Sequence, residues 1–244
     1  MTGPPAAPEP PPLARTTGAV YLAYFLTAAI SAWLLRGLVV PGDATATATR
    51  LLAHERQFRM GLAVDLLGNV WYLALTVLLY RLLAPVNRTI SLLGAFFSLA
   101  GCAVQLSAGV FLRAALVALR STPQPSGLGT EQLQQIALLF VSVHGQAVSV
   151  ALVLFACYCL VLGGLVIRSR FLPPALGVLL AAAGLGWLTY LSPPLANQVA
   201  RYVQPLGGIA EVAFMLWLLV RGVNVKQWHA LAAARPTAKT APYD

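Results

Sequence analysis

Between Met60 and Tyr80 the chain reads MGLAVDLLGNVWYLALTVLLY, an apolar run interrupted by Asp65 and Asn69. As a helix with ~1.5 Å rise per residue it measures about 30 Å, the hydrocarbon thickness of a bilayer. On a wheel of about 100° per residue, Asp65, Asn69, Tyr72 and Thr76 fall within an arc of roughly 60°. An Asp facing lipid at mid-membrane costs ~2.5 to 3.5 kcal/mol, so this polar stripe has to turn toward protein or a wet cavity.

The remainder of the chain agrees with a membrane setting. Of its 244 residues 59% are hydrophobic and only 9% are charged, against about 25% charged in soluble domains. This composition predicts an all-α, polytopic integral membrane protein: a bundle of six transmembrane helices with disordered tails. The net charge of +9 is scattered at segment ends, which suits headgroup anchoring and excludes a nucleic-acid surface. Cys102, Cys157 and Cys159 all lie in apolar segments and lack CxxC spacing, so they are expected to be packed thiols.

Six spans follow, at about residues 19–40, 60–80, 89–112, 133–167, 171–191 and 202–220, within a transmembrane domain covering 17–223. The Pro-rich stretch Met1–Ala14 opens a disordered tail (1–16), with Thr16 and Thr17 offering helix caps. The small residues of DATATA give Ala19–Val40 a signal-peptide look, but the unbroken apolar core to Leu35 is too long for one, and an uncleaved first span is expected. Polar loops are expected at Pro41–Arg59, Arg113–Thr130 and SPPLANQVAR, and a cytoplasmic tail over 224–244, with Trp228 as an interfacial anchor. Small residues on the third span (Ser91, Gly94, Ser98, Gly101, Gln105, Gly109) and on the fifth (Gly177 with Ala181, Ala182 with Gly186) predict close helix packing. The fourth apolar segment exceeds a bilayer's need. Its Gln135, Ser142, Gln146 and Ser149 share one side and His144 the other, and the sequence leaves open which side faces inward.

With a cytoplasmic N-terminus the inside holds Arg15, Arg81, Arg88, Arg168, Arg170, Arg221, Lys226, Arg235 and Lys239 of the chain's 16 Lys and Arg, including both of the shortest loops. The expected place is therefore the bacterial cytoplasmic membrane, multi-pass, with both termini cytoplasmic.

In that topology Asp65, Asn69, Gln105 and Glu211 enter from the outer side to similar depth, with Arg36, Arg59 and His144 near the same level. These seven are the candidates for ligand binding or a proton relay. Two readings stay open: an ion-pair network in which arginines neutralise Asp65 and Glu211, or a pocket for a polar headgroup or cation. His54, His144 and His229 sit on three separate segments, and no zincin, nucleotide or nucleophile motif occurs, so neither a metal, a cofactor nor a catalytic residue is assigned.

Four stretches, QFRMGLAVDLL (Gln57–Leu67), LLYRLLAPVNR (Leu78–Arg88), RSRFLPPALGVLL (Arg168–Leu180) and AEVAFMLWLLVRGV (Ala210–Val223), together resemble a bacterial membrane family catalogued as domain of unknown function 4386. The resemblance covers about Ala19 to Val223. It departs at Pro174-Ala175, where family members often carry Trp after the proline. It implies six membrane helices and no established activity. Besides Arg59, Asp65 and Glu211, it places structural weight on Phe58, Pro85, Asn87, Arg88, Arg168, Ser169, Pro173 and Trp217.

The function expected is that of a non-catalytic accessory or sensory membrane module with a polar network or pocket in the outer half of the bilayer. The alternative is a membrane-embedded enzyme or small transporter acting on a lipid or small polar molecule through Asp65 and Glu211. Membrane lipids are the expected partners, another membrane protein is a further candidate, and nucleic acid is not; oligomeric state is not legible.

Overall fold

A computed structural model describes residues 10–121 and 127–233. Its elements are α1 (Pro10–Leu35), α2 (Ala44–Ala53), α3 (Glu55–Leu83), α4 (Arg88–Arg120), α5 (Thr130–Ser169), α6 (Pro174–Trp187) with a 3₁₀ turn over Leu188–Leu191, α7 (Pro193–Val220) and α8 (Val225–Ala233). No strand occurs among the described residues. Six helical segments are long and apolar enough to cross a membrane: α1, α3, α4, α5, α6 with its 3₁₀ turn, and α7. They alternate in direction, so α8 and the start of α1 lie at one end of the bundle and α2 lies at the other.

Small residues set the spacing between the helices. On α3, a Cβ at Gly61 would meet Leu35 at 2.6 Å and one at Gly68 would meet the Thr27 hydroxyl at 3.2 Å. Ser31 adds a bond to the Gly61 carbonyl at 3.1 Å. The α4 seam packs on α5, where Gly94 faces Val161 and Gly101 faces Phe155. Gly109, placed in the same seam from the sequence, has nothing within 4 Å. Helices α5 and α6 approach closely in both directions, because Gly163 and Gly177 each sit 2.6 Å, measured from an added Cβ, from the other's carbonyl oxygen. Two backbones come this near only where side chains are absent. Gly177 therefore plays the part its pairing with Ala181 suggested.

Several element ends differ from the sequence reading, for identifiable reasons. Helix α1 already begins at Pro10, inside the stretch expected to be a tail. Thr17 does not cap it: the residue is fully buried and its hydroxyl donates to Leu13 O at 2.7 Å. The expected loop Pro41–Arg59 contains α2, started by Asp43, whose carboxylate accepts from Ala46 N at 2.8 Å; Ala44, Thr47, Ala48 and Leu51 face inward. Helix α4 runs through Arg113 to Arg120, since an arginine ends a membrane span without ending a helix. The SPPLANQVAR loop is instead the first turns of α7, with Pro193 and Pro194 at positions where a helix needs no N–H donor. Trp228 is no interfacial anchor. It is buried on α8 and its indole donates to Leu82 O at 3.0 Å. Residues 1–9, 122–126 and 234–244, which hold parts of the expected tails and second loop, lie outside the described residues.

The residues weighted by the family resemblance are mainly fold determinants. Phe58 is almost wholly buried. Pro85 makes the turn after α3, and Asn87 caps α4 by accepting from Ile90 N at 3.0 Å. Ser169, fully buried, donates to Val166 O at 2.8 Å and accepts from Leu172 N at 3.3 Å, which fixes the α5–α6 corner. Arg170 beside it takes the left-handed conformation at φ 58°, and Pro173 caps α6. Trp217 packs against the main core, while Arg88 and Arg168 are exposed.

Candidate functional site

Helix α3 carries the polar stripe inward as its spacing requires. Asn69, Tyr72 and Thr76 are 8%, 8% and 2% exposed. The lower end of the stripe serves structure: the Thr76 hydroxyl donates to Tyr72 O at 2.9 Å and shares a 2.6 Å hydrogen bond with Ser98 on α4. Its upper end opens into a cavity of about 270 Å³. All six long segments contribute to its wall, with Tyr24 from α1, Asp65, Asn69 and Tyr72 from α3, Gln105 from α4, Phe155 from α5, Trp187 from α6 and Glu211 from α7. Four of the seven candidates from the sequence, Asp65, Asn69, Gln105 and Glu211, thus meet in one place.

The other three do not. Arg59 pairs with Glu55 at 2.6 Å, and Arg120 reaches the same carboxylate at 2.8 Å. These contacts, with Arg113, edge a separate groove between α3 and α4. Arg36 is exposed at the end of α1. His144 lies on the cavity-facing side of α5, at helical spacing from Val148, Leu152 and Phe155, but above the cavity, with Nδ1 3.0 Å from Ala108 O. The face with Ser142 and Gln146 is exposed. The expected neutralisation of Asp65 and Glu211 by arginine is therefore absent: among the described residues both ion pairs involve Glu55. The arginines sit at helix ends, where a long side chain reaches water more cheaply than it reaches the bundle interior.

In place of cations, the carboxylates have phenols and amides. Tyr21, 3% exposed, donates its hydroxyl to Glu211 Oε2 at 2.9 Å. Asn69 Nδ2 donates to Asp65 O at 3.0 Å and leans on Asp65 Oδ2 at 3.5 Å. Aromatic rings continue the wall, with Tyr24 edge-on to Tyr72 at 4.8 Å and Tyr72 edge-on to Phe155 at 5.2 Å between centroids. The Trp187 indole packs against Gly207, where an added Cβ would meet its ring at 2.5 Å. Tyr21, Tyr24 and Trp187 were not singled out from the sequence. The one available signal was the pair Tyr21 and Tyr24 at i, i+3 on the first span.

Much of this polar equipment makes no bond within the protein. Among the described residues the hydroxyls of Tyr24 and Tyr72, the Gln105 amide and Asn69 Oδ1 have no hydrogen-bond partner. Cys102 and Cys159 are buried free thiols that do not line the cavity, and no group of three His, Cys, Asp or Glu is placed to share a metal among the described residues.

Six apolar helices around an internal polar cavity define a multi-pass membrane protein. Residues 16–222 match the family model described as Domain of unknown function (DUF4386), and the chain belongs to that family. No curated protein and no solved structure matches it.

Proposed function

We propose that the protein is a non-catalytic membrane module, accessory or sensory, that holds a small polar ligand in the cavity between α3 and α7. The observation that carries this reading is the convergence of Asp65, Asn69, Tyr72, Gln105 and Glu211 on one cavity. The Tyr72 hydroxyl and Asn69 Oδ1, on residues more than nine-tenths buried, have no protein partner among the described residues, and neither is sealed off from the cavity, so both are free to bond a molecule held there. The lining offers two carboxylates, two amides, two phenols and two further rings, groups that hold a polar molecule through hydrogen bonds and ring contacts. The charge distribution supports a bacterial cytoplasmic membrane setting with both termini cytoplasmic and the cavity in the outer half.

The test is native mass spectrometry of the protein released from nanodiscs. Wild type is expected to retain a small molecule in defined stoichiometry, and Asp65→Asn with Glu211→Gln to release it. Empty wild-type protein, with the double variant less stable than wild type, would remove the ligand-holding reading and leave a structural network.

A further inference from the structure

We propose, resting on that reading of the cavity, that its ligand is a small organic cation: an ammonium group bearing alkyl substituents. The cavity holds two carboxylates, Asp65 and Glu211, and no Lys, Arg or His among its lining residues. The two ion pairs found among the described residues are both at Glu55, on the α3–α4 groove. Among the described residues no cation lines the site or pairs with either carboxylate, and His144 and Arg113 act on Asp65 only from outside the cavity. A carboxylate withdrawn from water needs a counter-charge, several donors or a proton of its own, and a cation entering the cavity would supply the first of these. Glu211 has one, the Tyr21 hydroxyl; Asp65 has the 3.5 Å contact with Asn69.

The rest of the wall is what an alkylammonium group requires. Tyr24, Tyr72, Phe155 and Trp187 present rings on several sides, and the electron-rich faces of such rings attract ammonium groups by roughly 0.5–2 kcal/mol each. Two further observations point to a ligand independently of the carboxylates. The Tyr72 hydroxyl and Asn69 Oδ1 belong to residues only 8% exposed, line the same cavity, and have no partner among the described residues. Asn69 Oδ1 accepts, as do the carboxylates, and these acceptors match N–H or N–CH₃ groups, while the hydroxyls of Tyr24 and Tyr72 can turn their protons to the carboxylates or to a ligand oxygen. An anionic ligand would meet two like charges at short range in a low-dielectric interior. The volume of about 270 Å³ admits on the order of ten non-hydrogen atoms, at about 30 Å³ for each water-sized group. Aromatic walls favour an organic cation over a hydrated metal ion, whose ligands would have to be oxygen throughout.

The experiment is calorimetric titration of the wild-type, full-length protein in detergent, at constant ionic strength. The probes are tetramethylammonium, choline and propylammonium, each set against a neutral isostere: tert-butanol for the first, the analogue with carbon in place of nitrogen for choline, and propanol for the third. At least one cation is expected to bind about tenfold or more tightly than its isostere. Tyr72→Leu and Asp65→Asn should each weaken it, whereas Arg113→Gln, outside the cavity, should not. Isosteres binding as well as the cations, with displacement by Tyr72→Leu, would overturn the cation and leave the ligand-holding reading in place. No response to any member of the panel overturns the cation too; whether the broader reading then falls is decided by the mass spectrum, in which an anionic or neutral retained molecule keeps it and an empty protein does not.

Discussion

Tyr21 and Glu211 are separated by 190 positions in the chain, and one hydrogen bond of 2.9 Å joins them. Burial makes that bond count: the carboxylate has no cation within ion-pair distance among the described residues, so the phenol is its principal donor. Tyr21→Phe is expected to lower stability by ~1–2 kcal/mol, read as a lower unfolding midpoint in detergent. A midpoint unchanged from wild type would mean that Glu211 is satisfied elsewhere. At this scale the sequence was partly legible. The order Asp65, Asn69, Tyr72, Thr76 had only one helical geometry available, and the stripe turned inward as that geometry requires. Arg36, Arg59 and His144 share a level with Asp65 along the chain, but level says nothing of azimuth. Arg59 found Glu55 one turn away, and His144 found a carbonyl of α4.

Adjacent glycines on α5 separate packing from propensity. A Cβ on Gly163 would lie 2.6 Å from the Gly177 carbonyl, whereas one on Gly164 would meet nothing within 4 Å. Gly163→Ala should therefore destabilise by ~1–3 kcal/mol through forced separation of α5 and α6. Gly164→Ala should be neutral, or stabilising by up to about 1 kcal/mol through helix propensity. Thermal unfolding of the two variants side by side checks both, and a reversed order would contradict the seam. Helix α8 offers a second test. Trp228→Phe keeps the ring but removes the donor to Leu82 O, at ~1 kcal/mol, and hydrogen exchange over 225–233 should rise while that of α3 stays slow. The elements themselves were easier to foresee than their ends. Apolar length fixes a span, but α2, the first turns of α7 and the last turns of α4 continue as helix in polar sequence, held by Asp43, by the proline pair Pro193-Pro194 and by packing against α5.

Across the whole molecule, an even number of crossings puts the start of α1 and helix α8 at the same end. A fluorescent protein fused after Asp244 should fold and emit, and alkaline phosphatase fused there should stay inactive; the opposite pair of results would invert the proposed orientation. Helix α5 spans 40 residues, about 60 Å and twice a bilayer's hydrocarbon thickness. Part of it therefore stands outside the membrane, together with α2 and the Arg113–Arg120 end of α4. The six-helix bundle was legible because hydrocarbon tolerates few alternatives to a helix. The cavity was legible only through its carboxylates and amides. Of its rings only Tyr72 lay on the stripe; Tyr24, Phe155 and Trp187 come from α1, α5 and α6, whose apolar sequences give little sign of which side meets the interior.

Asp65 and Glu211, facing one cavity, should draw positive charge into it. Gln105→Cys, in a background freed of Cys102, Cys157 and Cys159, puts a reporter thiol on that wall. The thiol is then labelled in proteoliposomes with methanethiosulfonates of equal reach, one carrying trimethylammonium and the other sulfonate. Corrected for their rates with a free thiol, the cationic reagent is expected to react about tenfold faster or more, and the difference should collapse when Asp65→Asn and Glu211→Gln are added. Equal rates for the two reagents, or no labelling by either, would contradict the account.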